Sequence, residues 1–314
     1  MAGVDTTVDN TVDNTTDNTM DPVNNNNDAD PIVLKPPPWD MKCTTYMIPY
    51  WTSRQMAKDL PSKAYSPLEA ASPFASKEYG TPVGGFSMMQ LLRYSETPAG
   101  PYDEMILAPG FFEYPVEGKN GEKASKKGLR ITRIYVSQKQ TCWNGRKAWN
   151  IPKHLARFEW TDHPDGSTHV KVFPHDTATP YDASEAQSST TPFFQCTIKP
   201  ASYAPSFPLS TNLLKYVGLD ISLVQPPLPE GRGAVGELPG TDRWCKVVGY
   251  SQYSSNTKLA WADVSQKGDD GSSPADGYDN FFPGLRRWNL AAKLSDTVAY
   301  FPHPETWETP KWLA

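Results

Sequence analysis

Asn150-Ile-Pro-Lys-His-Leu-Ala-Arg-Phe-Glu-Trp-Thr-Asp-His-Pro-Asp-Gly-Ser-Thr-His-Val-Lys-Val-Phe173 carries two signals, one structural and one chemical. The segments Ala156–Thr161 and His169–Phe173 are rich in aromatic and β-branched residues, which favour strands. They flank His163-Pro164-Asp165-Gly166, where proline presets φ and glycine supplies a left-handed conformation, so the whole reads as a β-hairpin. Ahead of it, Lys153 follows a proline and has Trp149, Ile151, Leu155 and Phe158 around it. Burial in such a setting disfavours the ammonium, and a protonated His154 beside it would disfavour it further. An amine kept neutral in this way attacks carbonyl carbons to form a Schiff base. The alternative is a surface lysine with its stem along apolar neighbours and its charge in water.

Strand signals continue on both sides. Thr44–Trp51 reads as a strand, and Ser53 as the N-cap of a short helix with Met56 and Leu60 on one face, stopped at Pro61. Met105–Tyr114 and Leu129–Ser137 pair as one long hairpin around a Lys/Gly-rich connection. Phe193–Lys199 is a further strand, and Ser210 caps a helix that Gly218 ends. Trp244–Tyr253 and Lys258–Val264 form a third hairpin, and Leu290–Pro302 is a last strand or short helix. Residues 226–240 hold eight Pro or Gly in fifteen positions and read as an exposed loop; the Asp/Gly/Ser-rich residues 268–280 read as another.

Composition agrees. The 314 residues include 31 prolines, about twice ordinary usage. Phe, Trp and Tyr number 12, 10 and 15. Interior prolines break helices at about 3 kcal/mol each, which speaks against a helical bundle. Residues 1–30 repeat TVDN, TVDN and TTDN, carry seven aspartates and no Lys or Arg, and hold no aromatic residue, so they read as a disordered tail. Without those seven acids, 28 acids face 30 bases, and a nearly neutral body gives no reason to expect nucleic acid as a partner. No apolar run reaches membrane-spanning length and the start is no signal peptide, so neither a membrane nor secretion is expected and the address read is cytoplasmic. Cys43, Cys142, Cys196 and Cys245 are widely spaced and read as reduced thiols.

Several motifs fail on their surroundings. Gly231-Arg-Gly233-Ala-Val-Gly236 matches a dinucleotide fingerprint in letters, but prolines precede it and Glu-Leu-Pro-Gly follows where the fingerprint needs a strand and a helix. His163, His169 and His175 have no standard metal-ligand spacing. The six basic residues from Lys119 to Arg133 lack interleaved aromatics and read as a solvated hairpin connection.

Gly145-Arg146 followed by Pro152-Lys153-His154-Leu155 resembles the Gly-Arg…Pro-Lys-Lys-Leu segment of the acetoacetate decarboxylase superfamily. Tyr102-Asp103-Glu104 and the apolar run Met105–Phe112 look like the Tyr-x-Glu segment and strand upstream of it, in the same order. The likeness extends loosely over residues 35–305. It implies a mostly β (α+β) fold: after the tail 1–30, a single domain over 31–314 whose antiparallel strands form a cone-like barrel around an apolar pocket, with few short helices. Lys153 then falls on the Schiff-base lysine, Glu104 on the pocket glutamate, and His154 on a second lysine that lowers the nucleophile's proton affinity. Tyr102 falls at a substrate contact, as does Cys43, which stands where the decarboxylase has an arginine, with Lys42 adjoining. The implied activity is that of a lyase acting on a ketone, aldehyde or β-keto acid, with no cofactor and within specialised metabolism. A non-covalent pocket protein for a polyketide- or terpenoid-like ligand is the other reading, and self-association is left open.

Overall fold

A computed structural model describes residues 30–176, 187–264 and 288–313. The N-terminal repeat and the loop expected over 268–280 lie outside the described residues.

The chain runs β1 (Trp39–Thr52), α1 (Arg54–Lys58), α2 (Pro67–Ala70), β2 (Thr81–Glu96), β3 (Tyr102–Ala108), β4 (Phe111–Glu117), β5 (Lys123–Leu129), β6 (Arg133–Val136) and α3 (Lys139–Trp149). It continues with β7 (Lys153–Asp162), β8 (Thr168–Pro174), β9 (Phe194–Pro200), β10 (Phe207–Ser210), β11 (Leu223–Gln225), β12 (Arg243–Val247), β13 (Ser251–Asp263), β14 (Leu290–Phe301) and β15 (Glu305–Glu308). Nine strands close a barrel in the order β1-β14-β13-β9-β8-β7-β6-β3-β2, sealed by the pairing of β2 with β1. Neighbours are antiparallel except β6 and β7, which run parallel because α3 crosses between them. A second sheet, β4-β5-β11-β12-β15, continues from the start of β2. Gly84 permits that departure: its φ is +73°, and a Cβ there would lie 2.3 Å from the Thr52 carbonyl oxygen.

The barrel interior is filled from all nine strands, among them Tyr46, Leu91, Met105, Phe158, Val172 and Ile198. Side chains meet across it: the Tyr46 hydroxyl donates to Thr168 Oγ1 on β8, and the Tyr46 ring stacks on Trp160 of β7. Each such aromatic contributes about 2–3 kcal/mol through removal from water. A second core covers the outer face of β1, β2, β3, β6 and β7, beneath α3 and the second sheet; Met41, Leu92, Ile134, Val136, Trp149 and Leu155 belong to it. In a strand, successive side chains point to opposite faces, so one wall serves both cores.

Several expectations are corrected. The long hairpin is two: β3 pairs with β6 and β4 with β5, the chain stepping between sheets at Pro109-Gly110 and at residues 130–132. The Lys-rich stretch is largely strand β5, with its lysines exposed. The third hairpin does not exist. β13 is one strand paired with β14, and its central Ser254 bonds the Ser295 carbonyl instead of turning; β12 pairs with β11 and β15. Residues 290–301 are strand β14, the Ser210-capped segment is a 3-10 turn over Thr211–Val217, and α3 lies where no helix was expected. Residues 226–240 are a loop, but Leu228, Glu237 and Leu238 within it are buried. Among the described residues no helix is long and apolar enough to cross a membrane.

Candidate active site

The site forms where β7 begins. Lys153 lies opposite Ile134 in β6, and Glu104 of β3 lies opposite Val136, so both side chains leave the outer face of the wall one strand apart. Lys153 Nζ donates to Glu104 Oε2 at 2.7 Å and to Thr141 Oγ1 of α3 at 2.9 Å, with the Tyr102 ring centroid 5.1 Å away. Lys153 is 5% exposed and Glu104 3%. The Tyr94 hydroxyl donates to Glu104 Oε1 at 3.3 Å, and the Tyr94 and Tyr102 rings stack. Burial, with the Glu104 charge adding to it, raises both phenols well above their ordinary range, which keeps them as donors.

α3 fits against the lysine through its glycine. Gln138 caps the helix by accepting from the Thr141 amide, and Asn150 ends it in a left-handed conformation. A Cβ on Gly145 would lie 2.6 Å from Lys153 Cδ, so the lysine stem occupies the space a side chain would need. This is the physical content of the Gly-Arg…Pro-Lys spacing: glycine opens the floor and Lys153 fills it.

Around the pair is a cavity of about 60 Å³. Its walls are mainly apolar, with Met41, Met88, Ile134, Trp149 and Tyr250 among them, and Lys153 and Glu104 are the charged residues that line it. The expected apolar pocket is therefore present, but on the outer face of the barrel wall and not inside the barrel.

His154 points the other way, as strand alternation requires. Its Nε2 lies 2.6 Å from Glu69 Oε2, and Glu69 Oε1 accepts from Arg146 Nη1 at 2.9 Å. All three residues are buried. Burial pulls the Glu69 carboxyl up, but the charges of His154 and Arg146 outweigh it and hold the group at about 2. Arg146 also donates to the Lys153, Pro229 and Pro239 carbonyls, tying the Pro/Gly-rich loop and the lysine backbone together. The expectation that His154 directs charge at Lys153 is thus corrected: its ion partner is Glu69.

Lys42 is not brought into the site; its side chain is exposed and pairs with Glu96 at 3.0 Å. Cys43 is buried in the same layer as Tyr94 and Tyr102 but does not line the cavity. Its Sγ contacts Thr45 Oγ1, and burial, assisted by the Glu104 charge, pushes the thiol up to about 12, so it is no nucleophile near neutrality. Thr141, Tyr94, Arg146 and Glu69 escaped sequence reasoning as functional residues. Thr141 stayed hidden because α3, which sets it one turn before Gly145, was not expected; Glu69, 77 residues from Arg146, has no local signal.

No family model matches the chain. The protein NEOXANTHIN-DEFICIENT 1 of Oryza sativa subsp. japonica is 28% identical over 107 residues, covering 34% of this chain and about 30% of that protein's length. Among solved structures, acetoacetate decarboxylase from Legionella pneumophila gives a TM-score of 0.48 at 13% identity, covering 92% of this chain and 97% of that one. The enduracididine biosynthesis enzyme MppR, complexed with the condensation product of pyruvate and imidazole 4-carboxaldehyde, gives 0.48 at 12% identity, covering 88% and 91%. A further acetoacetate decarboxylase structure gives 0.47 at 12%, also covering 88% and 91%.

Proposed function

We propose that the protein is a lyase-type enzyme whose Lys153 forms a Schiff base with a ketone, aldehyde or β-keto acid, in decarboxylation, aldol-type or dehydration chemistry of specialised metabolism. One observation carries the reading: a buried amine in an apolar cavity, 2.7 Å from a carboxylate able to take its proton. Proton transfer from Nζ to Glu104 frees the lone pair, which attacks the carbonyl carbon while the C=O π pair moves onto oxygen. That oxygen takes up two protons and leaves as water, giving an iminium. The iminium then accepts the electron pair of a breaking C–C or C–H bond as an enamine; protonation at carbon and attack by water return the free lysine. Thr141 Oγ1 keeps Nζ aimed, and the apolar walls limit competing water.

Borohydride reduction with a series of small ketones and aldehydes tests this. The expected result is one added mass on the peptide containing Lys153, absent in Lys153→Met. Labelling spread over surface lysines, or full turnover in Lys153→Met, overturns it. A second reading, an apolar-ligand isomerase, cyclase or carrier, is favoured by the cavity lining and by a rice relative whose name records a neoxanthin deficiency. Ligand binding that survives Lys153→Met with no adduct in the wild type selects that reading.

A further inference from the structure

The same cavity has a second polar end. Gln90 of β2 and Gln252 of β13 both line it and both are buried. Gln252 Nε2 donates to Gln90 Oε1 at 3.0 Å, and Gln90 Nε2 donates to Met88 Sδ at 3.2 Å. The sulfur contact fixes the orientation of both amides. A thioether only accepts, so Gln90 turns its NH₂ toward Met88 and its oxygen toward Gln252. Gln252 must then spend its NH₂ on that oxygen, which leaves its own Oε1 buried with no hydrogen-bond partner. The backbone that carries it is held in place: its N–H donates to Thr211 Oγ1 at 2.9 Å, and the Thr211 hydroxyl donates back to its carbonyl. A buried acceptor left unpaired is unfavourable by itself and is satisfied when a donor enters.

We infer that the substrate carries a hydroxyl several bonds from its carbonyl, and that Gln252 Oε1 accepts that hydroxyl's hydrogen while Lys153 engages the carbonyl. The inference rests on the Schiff-base reading for the second contact only. Spacing allows it: Glu104, the partner of Lys153, stands opposite Leu92, and Gln90, the partner of Gln252, is two residues further along β2, so the β2 positions beside the two polar ends are ~7 Å apart at the strand's rise. A probe with about six bonds between carbonyl and hydroxyl is long enough to span that offset. Charge supports it as well. Among the described residues Lys153 is the single cation lining the cavity and already faces Glu104, so a distal carboxylate would meet an amide oxygen and find no positive group. A distal ammonium would meet no carboxylate at the Gln252 end. A neutral donor fits.

Three probes of equal reach separate the possibilities: 7-hydroxyheptan-2-one, heptan-2-one and 6-oxoheptanoate. Each is titrated in borohydride trapping and, separately, in saturation-transfer NMR, which needs no covalent step. The expected result is half-maximal trapping and binding of the hydroxyketone at a concentration about tenfold below that of heptan-2-one, with the keto acid weakest. In Gln252→Met, close in volume and lacking the acceptor, the ratio of the two ketones falls to near one. Equal affinity of the two ketones for the wild type, or preference for the keto acid, overturns the inference even if the variant does not fold. Hydroxyl selectivity by NMR with no Lys153 adduct keeps this inference and overturns the imine instead.

Discussion

Gly145 and Lys153 share one space: a methyl group on the glycine would sit 2.6 Å from the lysine Cδ and 2.7 Å from its Cε. Gly145→Ala gains about 1 kcal/mol of helix propensity and loses it again by displacing a buried side chain. The expected outcome is a melting temperature within a few degrees of the wild type, with Lys153 trapping reduced at least tenfold. Mass spectrometry of the reduced adduct beside a thermal melt reads both. Unimpaired trapping would mean the helix can shift outward, and that the glycine does not shape the site.

Removing the amine is expected to destabilise. Lys153→Met leaves Glu104 buried with a tyrosine hydroxyl as its remaining partner, and an uncompensated buried charge costs about 3–5 kcal/mol. A fall in melting temperature of ~5–10 °C follows. Lys153→Met combined with Glu104→Gln should lose less than half as much, because no unpaired charge remains. Glu104→Gln alone should slow turnover by about 10²–10⁴, the usual worth of a positioned proton acceptor.

His154→Gln should leave the pH profile of adduct formation where it is, since the imidazole faces Glu69 on the other side of the wall. Its effect should be on stability, a loss of about 1–3 kcal/mol from the disrupted buried hydrogen bond. A displaced pH profile in trapping experiments would show that His154 acts on the amine after all.

Glu69 ties stability to acid. Its carboxyl is held at about 2 in the folded chain against an ordinary 4.5, so it binds fewer protons folded than unfolded. Its contribution is complete above pH 4.5 and is lost as the pH falls toward 2. The difference is worth roughly 3 kcal/mol. Urea unfolding at successive pH values should show that loss in the wild type and a flatter course in Glu69→Gln.

How far the residues themselves betray this arrangement varies with the physics involved. The β7–β8 hairpin is readable because alternation and a Pro-Asp-Gly turn act over a few residues. β13 is not, because Ser254, Ser255 and Asn256 look like a turn and are held in a strand by β14, whose Ser295 carbonyl takes the serine hydroxyl. α3 escapes because Gly145 lowers its helix propensity, and that glycine is kept for the lysine. Lys153 emerges from its apolar neighbours and Glu104 from the resemblance, but the partner of Arg146 lies on α2, and no local pattern links the two. The orientation of His154 follows from strand alternation once Lys153 is placed on the outer face.

A wall with independent cores on its two sides also shapes how such a protein can be redesigned. On β2, Gln90 faces the cavity while Met89 and Leu91 face the barrel interior; on β3, Glu104 and Ile106 alternate in the same way with Met105 and Leu107. A library that varies Gln90, Ile106 and Gln252 would explore substrate range without touching the side chains that hold the barrel together, so catalytic repertoire and foldability become separately adjustable properties of adjacent residues.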